Sequence, residues 1–376
     1  MGVRTGRPFC FVVFGSSLLR EKYLEVLNDQ ETKNWVAVLG ASGYTGGETL
    51  RLAVRHENME LLALTADRHA GESIEEVFPN LAGYKLPPLT KIDDVNFSQL
   101  DAVFCCLPHG ATQEVVKALP ESLRVIDLSA DFRIRDPEVY AKWYGHQHYA
   151  PELQCNVAYG LTEYNRGELK KNRITACPGC YPTSALLPLL PIVSAGQIIV
   201  NDIIIDSKSG VSGAGRAATQ AMLFSEVGEG LHAYNIGIHR HGPEIDQELS
   251  IAAKESVVAN FTPHLVPMNR GILSTIYVRL AEGVGAEDLR ETLVRRYEDE
   301  PFVQVVGPGK SPATRHVRGS NKCLIGVFAD RIPHRAILLC AIDNLVKGSS
   351  GQAIQNFNLV FGLPEVLALE QAPIFP

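Results

Sequence analysis

The first clear pattern in the chain is an apolar run, a glycine-rich segment and a helical pattern in direct succession. Residues 35–39 are apolar without alternation, as in a strand that is buried on both faces of a parallel sheet. Glycine recurs at every third position in residues 40–46, and residues 47–56 have the apolar spacing of a helix. Further buried strands are predicted at residues 59–65, 103–107 and 124–128. This alternation of strands and helices predicts an α/β fold with a doubly wound parallel sheet.

The pattern changes after residue 180. Long β-rich segments are predicted at residues 198–207, 271–280 and 336–342, with helices at 243–256 and 286–300. Long strands with few short crossovers favour a mixed or antiparallel sheet. A chain of 376 residues is long for one core, so this second sheet is expected to form a second domain. The last predicted helix, at residues 351–363, is expected to pack back on the first domain.

Composition narrows the class of protein. The chain is 45% hydrophobic and 20% charged, which is typical of a soluble globular protein. The net charge of −7 argues against binding to nucleic acid or to an anionic membrane surface. No apolar run reaches the roughly 18 residues that span a bilayer. The eight cysteines show no disulfide framework, which indicates a reducing compartment.

Residues 1–34 differ from the rest of the chain. Arginines stand at its front, whereas acidic residues follow from Glu21 onward. The arginines are typical of a transit segment, and the acidic residues are not. A transit segment and a disordered leader therefore remain equal alternatives for this extension.

A cysteine between two prolines is the strongest chemical signal. Cys180 follows Gly179 and precedes Pro182, and the apolar residues 184–194 predict a helix directly behind it. At a helix N-terminus, unpaired N–H groups favour negative charge, so we expect a lowered pKa for the Cys180 thiol. The alternatives are a buried structural cysteine or a dithiol with Cys177. A zinc site lacks two further ligands at suitable spacing, so no metal is predicted.

The glycine segment has the position of a dinucleotide-binding loop. Its spacing, G-x-x-G-x-x-G, differs from the common motif, but a strand precedes it and a helix follows it. Such a loop lets the diphosphate approach the backbone at the helix N-terminus. At the end of the second strand, Asp67 suggests NAD, whereas Thr65 and Arg68 suggest the 2′-phosphate of NADP. An ordinary strand-to-helix turn is the alternative.

Three further clusters carry candidate chemistry. His239 and His241 precede a predicted helix, and a histidine near a thiol can act as acid and base. Arg133 follows the strand at 124–128, where ligands bind in such sheets, and is a candidate anion clamp. The loop at 209–216 offers backbone donors to a phosphate or a nicotinamide, and Asn344 offers its amide. Taken alone, each cluster is also compatible with a surface loop or salt bridge.

Together these motifs resemble the N-acetyl-gamma-glutamyl-phosphate reductase family of arginine biosynthesis, from about Trp35 to the end of the chain. The resemblance rests on residues 40–46, 128–133, 178–183, 209–216, 239–244 and 344–348. It implies NADPH-dependent reductive dephosphorylation of an acyl phosphate to a semialdehyde, through a thioester on a cysteine. It also implies a Rossmann-like domain and an α+β domain of the glyceraldehyde-phosphate dehydrogenase type, in a homodimer or homotetramer. Aspartate-semialdehyde dehydrogenase, a thiol hydrolase and a non-catalytic NADP-binding regulator remain as alternatives.

The resemblance also assigns domains and site residues. Residues 35–178 are expected to bind NADP(H), joined by 344–376, and residues 179–343 to form the catalytic and oligomerisation domain, after the extension 1–34. Cys180 matches the nucleophile, and His239 and His241 match the acid/base pair. The expected cofactor contacts are Gly40, Ser42, Gly43, Tyr44, Thr45, Gly46, Thr65, Arg68, Pro108, Gly213 and Asn344. The expected substrate contacts are Arg133, Ser209, Gly210, Arg240 and Glu244.

Two departures from the family pattern add expectations. Cys177 stands where the family carries mostly asparagine, and its thiol is expected to be able to oxidise with Cys180. The extension at residues 1–34 has no counterpart in the core of the family. A plant source would imply the plastid stroma, and any other source the cytoplasm.

Overall fold

The computed structural model describes residues 33–376. The transit segment or leader expected at residues 1–34 therefore lies, except for its last two residues, outside the described part. Within that part, no helix is long and apolar enough to cross a bilayer.

Seven parallel strands form the first sheet, in the order β3-β2-β1-β4-β5-β7-β6. The strands are β1 (Asn34–Leu39), β2 (Met59–Thr65), β3 (Leu89–Thr90), β4 (Ala102–Cys105), β5 (Arg124–Asp127), β6 (Val157–Tyr159) and β7 (Ile174–Ala176). Its helices are α1 (Tyr44–Ala53), α2 (Ile74–Val77), α3 (Thr112–Ala118), α4 (Pro137–Tyr144) and α5 (Thr162–Lys171). In β1, Val36 and Val38 belong to one hydrophobic cluster and Ala37 and Leu39 to another. Burial on both faces explains the unbroken apolar run, and the predicted doubly wound parallel sheet is confirmed.

The second sheet is mixed, in the order β12-β13-β14-β11-β8-β10-β9. Its strands are β8 (Ile198–Gly210), β9 (His232–Ala233), β10 (Asn260–Val266), β11 (Ile272–Leu280), β12 (Val303–Val305), β13 (Cys323–Ala329) and β14 (Arg335–Ile342). The helices of this half are α6 (Cys180–Ser194), α7 (Phe224–Val227), α8 (Gly242–Ala253) and α9 (Ala286–Tyr297). Apolar side chains of α6, α8 and α9 form one core with alternate residues of the long strands. The expected second, α+β half is confirmed.

The C-terminal segment returns to the first sheet. After β14 the chain forms a π-helical turn at Val346–Ser350 and then helix α10 (Gly351–Val360). Phe357 of α10 packs in the same cluster as Val36 and Val38 of β1. Lys347 is fully buried, and its Nζ donates to Glu163 Oε1 at 2.5 Å. A buried ion pair of this kind holds the returning segment in one position, because a lone charge there would be costly.

Sequence patterns predicted seven of the fourteen strands in the described part of the chain and misplaced two helix starts. The strands that were missed are β3, β6, β7, β9, β10, β12 and β13. Strand β10 contains Pro263, which is unusual inside a sheet. Helix α1 begins at Tyr44 instead of residue 47, so the second half of the glycine segment forms its first turn. Helix α6 begins at Cys180 itself, ahead of Pro182.

Candidate active site

The glycine segment joins β1 to α1 in a turn that side chains would block. Gly40 has φ of +79°, and a Cβ there would lie 2.5 Å from the carbonyl oxygen of Cys106. A Cβ on Gly46 would lie 2.5 Å from the carbonyl oxygen of Gly40. Gly43, which caps α1, would meet only the oxygen of Gly40, at an ordinary 3.6 Å. The space in front of the helix N-terminus is therefore open, and the loop fits a phosphate group of a dinucleotide.

Most of the other expected cofactor contacts near this loop have side chains that a ligand can reach, whereas one is buried and supports the turn. Ser42 and Thr45 are partly exposed, and Tyr44 is exposed. Thr65 is buried, and its hydroxyl accepts a hydrogen bond from Gly40 N at 3.2 Å. It stabilises the turn and does not face solvent, whereas Arg68 is exposed beside it. Pro108 follows β4 and is exposed.

The π-helical turn at Val346–Ser350 connects Cys180 with the glycine loop. A Cβ on Gly348 would lie 2.8 Å from Cys180 Cβ, so only glycine permits this approach. Two residues later, Ser350 Oγ donates to the carbonyl oxygen of Thr45 at 2.9 Å. The π-helical turn thus contacts both the start of α6 and the start of α1, which brings the thiol and the dinucleotide loop together.

The expected lowering of the Cys180 pKa is wrong for the described residues. Burial raises the pKa of the thiol to about 11. The positive charge of Arg133 and the backbone N–H of Tyr181 act in the opposite direction but do not outweigh burial. The helix start is enclosed by protein, so the loss of hydration dominates the favourable dipole.

Cys177 and Cys180 belong to different cores. Cys177 packs in the cluster beneath the first sheet, where Asn356 Nδ2 approaches its sulfur at 3.7 Å. Cys180 packs against the core of the second sheet. Burial raises the pKa of Cys177 to about 12. The different surroundings of the two thiols argue against the alternative of a dithiol. Within residues 33–376 no group of three or more metal-binding side chains occurs.

A cavity of about 680 Å³ opens beside Cys180. Six of the residues expected at the site line it, namely Cys180, Ser209, Gly213, His239, Arg240 and His241. They come from the start of α6, the end of β8 and its following loop, and the turn before α8. Chain segments far apart in sequence therefore meet around the thiol.

The two histidines meet through a turn. Residues 239–241 precede α8, as predicted, in a turn, and the ring centroids of His239 and His241 lie 4.8 Å apart. His239 Nδ1 accepts the backbone N–H of His241 at 3.1 Å, so the neutral ring of His239 carries its proton on Nε2. Burial, followed by the charge of Arg240, lowers the pKa of His239 to about 4. Burial lowers the pKa of His241 well below its usual range, so both rings are neutral at physiological pH.

Glu244 and Arg133 lie beneath the cavity as a buried pair. Glu244 Oε1 accepts hydrogen bonds from Gly179 N and Tyr159 Oη, both at 2.8 Å. Its Oε2 lies 3.6 Å from Arg133 Nη1. Arg133 donates through Nε to the carbonyl of Cys177 at 2.7 Å and through Nη2 to that of Leu128 at 3.0 Å. Both side chains support the start of α6, which does not match their expected contact with substrate.

Two more expected contacts are occupied by protein groups. Gly210 N donates to the carbonyl of Gly271 at 2.8 Å, and a Cβ on Gly210 would lie 2.7 Å from Asn269 O. Asn344 Oδ1 accepts from Gly271 N at 2.7 Å, and its Nδ2 donates to Ser212 Oγ at 2.9 Å. Asn344 holds the loop after β8 in place, which does not match the expected bond to nicotinamide.

Residues that sequence reasoning missed complete the cavity. His109, Trp143, Tyr144, Tyr181 and Tyr234 line it. His109 Nδ1 accepts from Ala130 N at 3.2 Å, and burial lowers its pKa to about 4. Its position two residues after the predicted strand at 103–107 was a usable signal, because ligands bind at carboxyl ends of such strands. The aromatic residues carried no such signal.

Comparison with known proteins identifies the class first. A model described as "Semialdehyde dehydrogenase, NAD binding domain" matches residues 35–172, and one described as "Semialdehyde dehydrogenase, dimerisation domain" matches residues 180–344. The fold is that of aspartate semialdehyde dehydrogenase II from Vibrio cholerae, with a TM-score of 0.66 at 18% identity over 88% of this chain and 99% of that one. A second structure, aspartate semialdehyde dehydrogenase with NADP from Candida albicans, gives a TM-score of 0.61 at 18% identity over the same shares of the chains.

Curated relatives narrow this class. N-acetyl-gamma-glutamyl-phosphate reductase of Rhodospirillum rubrum is 57% identical over 346 residues, which cover 91% of this chain and 98% of that protein. The probable chloroplastic N-acetyl-gamma-glutamyl-phosphate reductase of Oryza sativa subsp. japonica is 56% identical over 341 residues, 91% of this chain and 82% of that protein. The chain belongs to the N-acetyl-gamma-glutamyl-phosphate reductase family, as its motifs predicted. It contains a domain for a nicotinamide dinucleotide and a domain of the dimerisation type.

Proposed function

We propose that this chain reduces N-acetyl-gamma-glutamyl phosphate to N-acetylglutamate 5-semialdehyde, with release of phosphate, in arginine biosynthesis. The observation that carries the proposal is the position of Cys180. Its thiol lines a cavity with two histidines, and one short turn joins it to a phosphate-binding type of loop. High identity to named reductases over nine-tenths of the chain supports the substrate.

The cofactor of this proposal is NADP(H). Arg68 is exposed at the end of β2, where the adenosine ribose lies in such folds, and its guanidinium suits a 2′-phosphate. Residues 35–178 with 344–376 would bind the dinucleotide, through the partly exposed Ser42, Gly43, Tyr44 and Thr45. Residues 179–343 would carry the thiol and the oligomer contacts. When bound, the reduced nicotinamide supplies the hydride that reduces the acyl group.

In the first step Cys180 Sγ bonds to the acyl carbon, and the bond from that carbon to the phosphate oxygen breaks. Because burial raises the pKa of the thiol to about 11, its proton must leave as the sulfur attacks. The neutral ring of His241 borders the same cavity and is the proposed acceptor, because His239 carries a proton on Nε2 and its Nδ1 already accepts a backbone N–H. Arg133 stabilises the developing thiolate from below, since its charge lowers the thiol pKa.

In the second step the thioester is reduced and the carbon–sulfur bond breaks. The acyl oxygen gains negative charge before the aldehyde leaves, so a donor is needed there. His239, with its proton on Nε2, is the proposed donor from the histidine pair. Arg240 is exposed at the cavity, 5.0 Å from the ring centroid of Tyr144, and would pair with the substrate carboxylate. Ser209 and the backbone of Gly213 complete the proposed contacts.

The reverse reaction tests this function. Purified protein is mixed with N-acetylglutamate semialdehyde, inorganic phosphate and NADP, and NADPH formation is followed by absorbance. We expect phosphate-dependent reduction of NADP. Reduction only with aspartate semialdehyde would overturn the proposed substrate, and phosphate release without any nucleotide would indicate a hydrolase.

We further propose that the chain forms a homodimer or homotetramer through the outer face of the second sheet. Helices cover the opposite face. On the outer face, strand register aligns Ile204, Tyr277, Ile337 and Phe328 across four strands, and each is half-buried. A row of apolar side chains of this kind favours contact with a second copy. Analytical ultracentrifugation of Tyr277→Asp tests this, because an unchanged mass would overturn the assignment.

For location, the rice and Arabidopsis thaliana relatives are named chloroplastic. For a plant source we propose the plastid stroma, and for any other source the cytoplasm.

A further inference from the structure

One arginine of the second half of the chain reaches the dinucleotide loop. Arg216 lies in the segment after β8, whose neighbouring residues Gly213 and Ala217 line the cavity beside Cys180. Its side chain points the other way. Nη1 donates to the carbonyl of Ser42 at 3.0 Å and Nη2 to that of Val77 at 3.2 Å. The guanidinium also lies 4.7 Å from the ring centroid of Phe78.

The dinucleotide loop itself has no cation. Residues 40–47 contain no lysine, arginine or histidine. The first charged residue after them, Glu48, is buried, and its two oxygens accept hydrogen bonds from Arg51 and Arg270. The N-terminus of α1 supplies only about half a unit of positive charge to a ligand with several negative charges. A full positive charge in front of this loop must come from elsewhere in the fold.

Arg216 differs from Arg51 and Arg270 in how its charge is used. Those two arginines pair with a carboxylate, which neutralises them. Within residues 33–376, Arg216 hydrogen-bonds only to carbonyl oxygens, which position the guanidinium without cancelling its charge. It is exposed, and N–H groups beyond the two that bond Ser42 and Val77 remain to bind an anion.

We propose that Arg216 binds a phosphate group of the dinucleotide, so that both halves of the chain hold the cofactor. The inference rests on the proposed use of NADP(H). Two phosphate sources share this chemistry, the diphosphate bridge and the 2′-phosphate of the adenosine ribose. Planar donors on a fixed guanidinium suit either group.

The test measures dissociation constants of the full-length protein for NADPH and NADH by titration calorimetry, without substrate. Arg216→Gln retains a donor for the two carbonyls but removes the charge, whereas Arg216→Lys retains the charge. We expect NADPH binding to weaken about tenfold or more in Arg216→Gln and to recover largely in Arg216→Lys. The dependence of log Kd on log salt concentration should also become shallower in Arg216→Gln only. Arg55→Gln, at the other end of α1, is the matched control for net charge and should bind as wild type does.

Comparing NADPH with NADH shows which phosphate group Arg216 binds. Equal weakening for NADPH and NADH assigns Arg216 to the diphosphate, and weakening for NADPH alone assigns it to the 2′-phosphate. Wild-type affinity and salt dependence in Arg216→Gln would overturn the inference. So would equal weakening in Gln and Lys variants with an unchanged salt dependence, which would indicate a purely structural clamp. A wild-type chain that binds neither dinucleotide would overturn the proposed function and this inference with it.

Discussion

Helices α1 and α6 both start directly after a glycine at the carboxyl end of a parallel strand, but their N-termini have different surroundings. In front of α1, a Cβ on Gly43 would meet only one backbone oxygen, at 3.6 Å. In front of α6, a Cβ on Gly179 would lie 2.4 Å from His241 Nε2. The amide of Gly179 is also already bonded to the carboxylate of Glu244, at 2.8 Å. One helix start is open to a ligand, and the other is filled by the protein.

The electrostatic effect of a helix N-terminus therefore depends on what surrounds it. At α1 the unpaired N–H groups remain for an incoming anion. At α6 the negative charge of Glu244 and the loss of hydration oppose the dipole, and the pKa of Cys180 rises to about 11. The same local motif therefore predicts a phosphate site in one place and a protonated, base-dependent thiol in the other.

The largest effect is expected from removing the reactive group at the second helix start. Cys180→Ser should lower turnover about 10⁴-fold or more, because a hydroxyl is a far weaker nucleophile than a thiol that loses its proton to a histidine. The reverse reaction measures this loss. Dinucleotide affinity should stay at the wild-type value, and near-normal turnover would contradict the thioester route.

Replacing the capping glycine of each helix by alanine compares the two helix starts directly. Gly179→Ala should displace His241 and lower kcat/KM about hundredfold, since a shift of about 1 Å at reacting groups has costs of that order. Gly43→Ala fits the protein but should weaken dinucleotide binding about tenfold, because a side chain then stands where the phosphate approaches.

Two measurements separate these variants, the dissociation constant for NADPH and the rate at which iodoacetamide alkylates Cys180. Gly179→Ala should change only the second and Gly43→Ala only the first. Identical changes in both variants would contradict the different roles assigned to the two helix starts.

Replacing Glu244 tests how far its negative charge raises the pKa of the Cys180 thiol. Because the pKa of the Cys180 thiol is raised to about 11, the rate of its alkylation in the wild type should keep increasing up to about that pH. The negative charge of Glu244 is one cause of the raised thiol pKa, so Glu244→Gln should shift the alkylation profile to lower pH. The cost in unfolding free energy should be about 1–3 kcal/mol, because Arg133 then loses its buried partner.

Glu248→Gln, on the same helix but paired with Arg135, is the matched control and should leave the profile unchanged. A profile of Glu244→Gln that moves to higher pH would show that Glu244 lowers the thiol pKa, against this account.

The smallest effect is expected at Cys177, three residues before the start of α6. Its sulfur faces Asn356 in the other core, so Cys177→Ser should change turnover by less than about twofold and stability by about 1 kcal/mol. Inactivation by hydrogen peroxide should proceed at the wild-type rate. A peroxide-resistant variant, or an intramolecular disulfide in the oxidised wild type, would restore the expected pairing with Cys180.

Much of the fold followed from local patterns. The run at residues 35–39 predicts a strand with both faces buried, and Val36 and Ala37 do enter different cores. The glycine spacing at residues 40–46 predicts the turn that Gly40 and Gly46 make. Strand β10 was missed because Pro263 argues against a sheet, and only its neighbour β8 shows that a strand forms there.

Roles of individual charged residues did not follow from local patterns. Arg133 and Asn344 have the side chains of ligand-binding residues, and both are used up by backbone groups of distant segments. Arg216 has the side chain of a surface arginine, and its contacts lie more than a hundred residues away in sequence, at Ser42 and Val77. Hydrogen-bond partners across such separations carry no signal in one sequence.

Sequence alone therefore determined the doubly wound parallel sheet followed by a second β-rich half, the glycine turn, the cysteine at a helix start and the family. These depend on short-range sterics and on the periodicity of apolar residues, which act within a few positions. The tertiary structure decided the protonation state of Cys180, the neutrality of the histidines and the burial of the Arg133–Glu244 pair. Those properties depend on hydration and on charges brought close by folding, and neither is present in the chain before it folds.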